Sequence, residues 1–224
     1  MKSETSSMAD LKKLLEIKSE LSIYQATLIA VSKTKPNEEL MQVYQTGHKS
    51  FGENYVQEVI TKHRELPSDI EWHFIGHLQS NKVKMITPFV HLIHGVDSEK
   101  LLSEINKQAL RENKKVDCLL QIYIAEEESK FGLDQREAEE ILMRRKLYPN
   151  INIKGFMGMA TNTESNKQIE KEFSGLNNFF HSMKEENNLS VLSMGMTSDY
   201  KIALNCGSNM VRIGSAIFGT RNQE

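Results

Sequence analysis

The run Leu28-Ile29-Ala30-Val31-Ser32-Lys33-Thr34-Lys35-Pro36 passes from four apolar residues to a polar turn and then to a proline. A short apolar run bounded by polar residues reads as a buried strand. Proline has its φ already restricted and no N–H to lose, so it suits the first turn of a helix. The order strand, turn, helix is the half-unit of a parallel α/β fold, and it recurs outward from this point. Apolar runs fall at 28–31, 50–51, 72–75, 91–96, 116–124, 151–157, 191–194 and 210–213, which makes eight candidate strands. Stretches of helical character separate them at 37–46, 53–63, 81–86, 98–112, 134–147, 167–184 and 198–205. Before the first strand, Leu11, Leu14, Leu15 and Leu21 stand at mostly helical intervals among Lys and Glu, which predicts an amphipathic helix over about 8–25.

Alternation of this kind predicts a parallel sheet with right-handed crossovers. Eight repeats allow the sheet to close as a (β/α)8 TIM-type barrel, and an open doubly wound sheet is the alternative. The strands at 50–51 and 191–194 rest on the fewest apolar residues, which also fit a buried loop. A length of 224 residues with no Pro/Gly/Ser-rich linker fits one barrel spanning 1–224 as a single domain.

Composition narrows the partners. Hydrophobic residues at 39% and charged residues at 26% supply a sizeable core and an ordinary solvated surface. The net charge of -2 comes from nearly balanced acids and bases, so no global field attracts nucleic acid or an anionic membrane. Any phosphate recognition must therefore be local. Met1 to Asp10 is polar, without the apolar core of a secretory signal, and no apolar run approaches the roughly 20 residues of a membrane span. A cytoplasmic monomer is expected. Cys118 and Cys206 are isolated, and Cys118 lies in an apolar run, so a buried thiol is expected rather than a disulfide.

The two-residue period of a strand puts Lys33 on the same face as Ile29 and Val31. That places a cation at the C-terminal end of a barrel strand, where active sites are built. A desolvated lysine there could act as a nucleophile, although a lysine after a strand is also a common surface residue. Lys35 competes with it, but the adjacent Pro36 puts it nearer solvent, in a supporting electrostatic role.

After the seventh run comes Ser193-Met194-Gly195-Met196-Thr197-Ser198-Asp199, a hydroxyl-rich turn into a helix capped by Thr197 or Ser198. After the eighth comes Arg212-Ile213-Gly214-Ser215, where Gly214 permits close backbone approach and Ser215 can open a short helix. In eight-stranded barrels these two loops commonly form a phosphate site. Ordinary capping and turn formation explain the same residues. Asn54 either reaches a ligand from the barrel mouth or caps its helix. His73 alternates with apolar neighbours and reads as a satisfied barrel residue. The seven histidines form no H-E-x-x-H element and the cysteines lack paired spacing, so no metal is expected. Lys130 reads as a solvated loop lysine, with attraction of an anionic ligand as the alternative.

Five ordered motifs carry a family resemblance. They are Ala30-Val31-Ser32-Lys33-Thr34-Lys35-Pro36, Phe51-Gly52-Glu53-Asn54-Tyr55-Val56-Gln57-Glu58, Trp72-His73-Phe74-Ile75-Gly76, Ser193-Met194-Gly195-Met196 and Val211-Arg212-Ile213-Gly214. Over nearly its whole length the chain resembles the pyridoxal phosphate homeostasis proteins, a group also called YggS or PROSC. The stretch before Leu28 looks shorter than usual, and Thr197 stands where a serine is common but keeps the hydroxyl.

The resemblance implies a barrel like the N-terminal domain of alanine racemase, with pyridoxal 5′-phosphate as cofactor and Lys33 as its Schiff-base lysine. The cofactor-binding residues expected on this basis are Lys33, Asn54, Ser193, Met196, Thr197, Arg212, Gly214 and Ser215. Arg212 is expected near the pyridine nitrogen, with the phosphate as the alternative. Members of the group are regarded as cytoplasmic carriers in vitamin B6 homeostasis without established turnover, with apo-enzymes that use the cofactor as the partners to consider. A racemase and a class I aldolase-like barrel are the competing enzymes. Racemisation needs a base on each face of the substrate carbon. In alanine racemase the second base is a tyrosine from a C-terminal β domain, and this chain is expected to lack it, with Tyr55 and Tyr200 as the available substitutes.

Overall fold

Residues 8–126 and 131–220 are described by the computed structural model, so Lys130 lies outside the described residues. Asp10 starts the fold: its side chain accepts the Lys13 N–H and caps α1 (Leu11–Ile23), which buries Leu14, Ile17 and Leu21. Strand and helix then alternate through β1 (Thr27–Val31), α2 (Asn37–Tyr44), β2 (Ser50–Glu53), α3 (Val56–Glu65) and β3 (Glu71–Phe74). A 3₁₀ turn (Ser80–Lys82) leads into α4 (Val83–Ile86), followed by β4 (Leu92–Val96), α5 (Glu99–Arg111), β5 (Val116–Ile122) and α6 (Gln135–Met143). A second 3₁₀ turn (Arg145–Leu147) precedes β6 (Ile151–Gly158), α7 (Asn166–Asn187), β7 (Val191–Ser193), α8 (Tyr200–Asn205), β8 (Met210–Ile213) and α9 (Ser215–Phe218).

The eight strands pair in sequence order, all parallel, and β8 returns to β1 with Ile29 opposite Arg212. That last pairing closes the sheet and excludes the open alternative. Both strands with thin sequence support are real, at Ser50–Glu53 and Val191–Ser193.

Alternation along the strands divides the core in two. Leu28 and Ala30 face the helices and join the large outer layer, where Phe156 of β6 stacks on Phe179 of α7 with ring centroids 4.9 Å apart. Ile29 faces inward with Leu92, Leu119, Met157 and Met210. The barrel interior also holds buried polar side chains, which the site uses. No helix among the described residues is long and apolar enough to cross a membrane.

Two helix boundaries differ from expectation for a stated reason. The segment expected from residue 53 is not helical at its start, because Glu53 pairs with Phe74 as the last residue of β2 and α3 begins at Val56. The expected cap on α8 also moves. Asp199 precedes that helix, its Oδ1 accepting the Met196 N–H at 2.6 Å, and the Thr197 hydroxyl turns to another partner.

Candidate functional site at the C-terminal barrel mouth

The strand β1 delivers the chain into a turn in which the Lys35 N–H donates to the Ser32 carbonyl at 3.1 Å. Thr34 in this turn has φ 63°, a left-handed conformation that costs a residue with a side chain on the order of 1 kcal/mol. A buried charge network holds it there. The Thr34 N–H donates to Glu58 Oε1 at 2.6 Å. Lys62 Nζ donates to the Ser32 carbonyl at 2.8 Å, to Glu53 Oε1 at 2.8 Å and to Glu58 Oε1 at 2.6 Å. Ser32 Oγ donates to Glu53 Oε1 at 2.6 Å. Lys33 therefore stands between two residues pinned from beneath, with its own side chain partly buried.

Burial pushes the Glu53 carboxyl above the usual range, and the Lys62 ammonium opposes that shift. Sequence reasoning missed this network. The available signal was Lys62 falling on the buried face of α3 with Val56 and Val59, three residues apart along the helix.

A cavity of about 540 Å³ opens at the C-terminal end of the barrel, between the loops after β1, β7 and β8. Lys33, Asn54, Met196, Thr197, Arg212, Gly214 and Ser215 all line it. Among the described residues its titratable lining side chains are Lys33, Lys35 and Arg212, so the lining is cationic. Asn54 does not cap α3, whose N-cap is Tyr55 without a side-chain bond. Its Oδ1 is instead buried without a partner. Gly76, in the loop after β3, passes so close that a Cβ there would lie 2.3 Å from the Asn54 carbonyl oxygen. The loops after β7 and β8 are tied together where the Gly214 N–H donates to Thr197 Oγ1 at 3.4 Å. The first N–H groups of α9 have no acceptor within their own helix.

Two expectations change here. Lys35 does not face solvent: its side chain is 12% exposed, Nζ donates to the Phe218 carbonyl, and Glu39 lies 3.8 Å away. Ser193 does not line the cavity. It is fully buried and positions Arg212, whose Nη1 donates to the Ser193 carbonyl at 3.0 Å and to its Oγ at 2.7 Å. Arg212 Nη2 donates to the Gly158 carbonyl at 3.3 Å. Burial pushes the guanidinium down to about 10, so it stays charged at neutral pH.

Behind Ser193 the polar chain continues through the barrel. His94 Nδ1 lies 3.3 Å from Ser193 Oγ, and His94 Nε2 lies 3.0 Å from His73 Nδ1. Desolvation holds both imidazoles neutral, moving His73 down to about 3 and His94 well below its ordinary value. His73 is thus only half satisfied, since its Nε2 is buried without a partner.

The family model described as the alanine racemase N-terminal domain matches residues 11–222. The pyridoxal phosphate homeostasis protein of Pasteurella multocida (strain Pm70) is 38% identical over 203 residues, covering 87% of this chain and 86% of its own. That of Escherichia coli (strain K12) is 36% identical over 209 residues, covering 88% and 87%. The chain belongs to the pyridoxal phosphate homeostasis protein family. Its fold agrees: PipY of Synechococcus elongatus PCC7942, solved without PLP, superposes with a TM-score of 0.88 at 30% identity over 93% of this chain and 99% of that one. The same protein with PLP bound gives a TM-score of 0.84. Alanine racemase of Bartonella henselae is 15% identical with a TM-score of 0.67, covering 92% of this chain and 58% of that one, a likeness of fold.

Proposed function

We propose that the chain binds pyridoxal 5′-phosphate at the barrel mouth and acts as a cytoplasmic, non-catalytic carrier in vitamin B6 homeostasis. One observation carries the reading: among the described residues, the titratable side chains lining the cavity are Lys33, Lys35 and Arg212, all of them cations. Such a lining suits an anionic ligand. Among the described lining residues no carboxylate, histidine, cysteine or tyrosine offers the second proton-transfer group that racemisation requires.

Pyridoxal phosphate, when bound, supplies an aldehyde that an amine can hold covalently and a phosphate for recognition. Lys33, on its pinned turn, would hold the group, and Lys35 would add positive charge. Thr197, Ser215 and the backbone at Gly214 would receive the phosphate at the rim. Arg212, drawn inward by Ser193 and Gly158, would meet the pyridine nitrogen as a permanent donor. Asn54 Oδ1 and Met196 would complete the wall. The orphaned Asn54 oxygen and the close passage of Gly214, where a Cβ would lie 3.0 Å from the Val31 carbonyl oxygen, fit a site shaped for a ligand.

The tyrosines weighed as substitute bases support the carrier. Tyr200 is buried and donates to Glu20 Oε2 at 2.8 Å, and neither it nor the exposed Tyr55 lines the cavity. The carrier reading takes a monomer that hands the cofactor to apo-enzymes.

The test is the visible absorption of the purified protein before and after borohydride, followed by the mass of the modified peptide. A cofactor chromophore and an adduct on Lys33 are expected. An adduct on Lys35 or Lys82, or no chromophore at all, overturns the assignment. Incubation with single enantiomers should yield no Lys33-dependent racemisation at enzymatic rates, and its appearance would restore the racemase.

A further inference from the structure

Sequence spacing predicts no metal, because the histidines form no H-E-x-x-H element and the cysteines are unpaired. The barrel brings some of them together. Glu71 begins β3 and His73 follows two residues later, so the strand period sets them on one face, while His91 lies just before β4 on the adjacent strand. One ligand atom from each falls within 4.8 Å of the others.

We propose that Glu71, His73 and His91 bind one divalent transition-metal ion of the zinc class at the N-terminal end of the barrel. This is the opposite end from Lys33, and the inference does not depend on what fills the mouth.

His73 carries the argument. It is 2% exposed, its Nδ1 faces His94 Nε2 at 3.0 Å, and its Nε2 is buried with no partner. A buried ring nitrogen without a hydrogen bond is an unusual residue of cost in a folded chain. Here it is the atom left over for a metal. A metal on Nε2 puts the ring proton on Nδ1, which then donates to His94, the outer hydrogen bond that fixes a ligating histidine.

The other two ligands are at the solvent edge and can adjust. Ser50 Oγ donates to Glu71 Oε2 at 2.7 Å, which orients the carboxylate and leaves Oε1 for the ion. Ligand atoms around a tetrahedral zinc ion are about 3.3 Å apart, given metal–nitrogen distances near 2.0–2.1 Å, so closure from separations of up to 4.8 Å needs Glu71 and His91 to turn inward. Two histidines and a carboxylate form a set that zinc accepts, with water in the fourth position. The site would clip β3 to β4.

The experiment uses the full chain stripped by a chelator and desalted. Zn²⁺ is titrated by calorimetry, the retained ion is counted by elemental analysis, and Co²⁺ serves as a visible probe of coordination. One ion per chain is expected. His91→Ala and Glu71→Gln, both at the rim, should keep the circular dichroism of the folded protein and weaken Zn²⁺ by about a hundredfold or more, beyond the tenfold to hundredfold typical of outer-shell losses. His77→Ala removes another histidine that faces a carboxylate, Asp97 at 3.0 Å, and should leave the titration unchanged. Failure to retain an ion, or equal binding by the wild type and both rim variants, overturns the site.

Discussion

Replacing Lys62 with methionine tests the network beneath Lys33 most directly. The Lys62 side chain is 5% exposed, and its ammonium holds Glu53 Oε1, Glu58 Oε1 and the Ser32 carbonyl together. Methionine keeps most of the length and removes the charge. Glu53 is then left at 0% exposure with no counter-ion, while Glu58, 21% exposed, is partly relieved by water. Stranding one member of a buried pair costs about 3–5 kcal/mol, and most of this should come from Glu53. The assay is equilibrium urea denaturation followed by circular dichroism, with a pyridoxal phosphate titration on the folded variant.

Two signatures separate a stranded charge from simple loss of packing. The pair Lys62→Met/Glu53→Gln should recover a substantial part of the loss, because the uncompensated charge is gone. The single variant should also gain on the wild type as pH falls, because a protonated Glu53 needs no counter-ion and burial already raises its pKa. Cofactor affinity should fall as well, since the Ser32 carbonyl loses its donor and Glu58, which accepts the Thr34 N–H, loses the ammonium that holds it. A destabilisation under about 1 kcal/mol, well short of the cost of a stranded buried charge, or a double variant no more stable than the single one, would refute the reasoning.

His73 makes stability pH-dependent. Its folded value is about 3 against 6.5 unfolded, so below pH 6.5 the unfolded chain takes up a proton that the folded chain refuses. Stability should therefore fall with pH, by on the order of 2 kcal/mol at pH 5 from this residue alone, and a flat urea profile between pH 7 and 5 would contradict it. Thr197→Ala/Ser215→Ala should weaken pyridoxal phosphate more than pyridoxal, by roughly 1.5–3 kcal/mol per lost bond to the charged group, and equal weakening of the two ligands would move the phosphate elsewhere. Gly76→Ala should lower both thermal stability and cofactor affinity, since its Cβ would displace the Asn54 backbone from 2.3 Å. An unchanged cofactor titration would show that Asn54 does not depend on this approach.

The fold was legible because it rests on local periodicity. Apolar runs of strand length between helical segments define a parallel sheet, and even the thin runs at Ser50 and Val191 proved to be strands. The mouth residues were legible for a related reason. In a parallel barrel every strand ends on the same face, so the positions following β1, β7 and β8 meet wherever they lie in the chain.

Polar partnerships inside the barrel were not legible in this way. Ser193 reads as a turn hydroxyl but serves Arg212, Lys35 reads as solvated but is tied to Phe218, and Glu53 reads as helical but ends a strand. Each outcome depends on which side chain a neighbouring element presents across a distance of many residues. Glu71, His73 and His91 converge for the same reason, through the register of β3 against β4. Sequence by itself determined the alternation and the end at which Lys33 emerges, while the pairing of β8 with β1 decided closure. Only the tertiary structure decided which buried charges and ring nitrogens found partners, because desolvation makes that pairing a property of the packed barrel and not of any one strand.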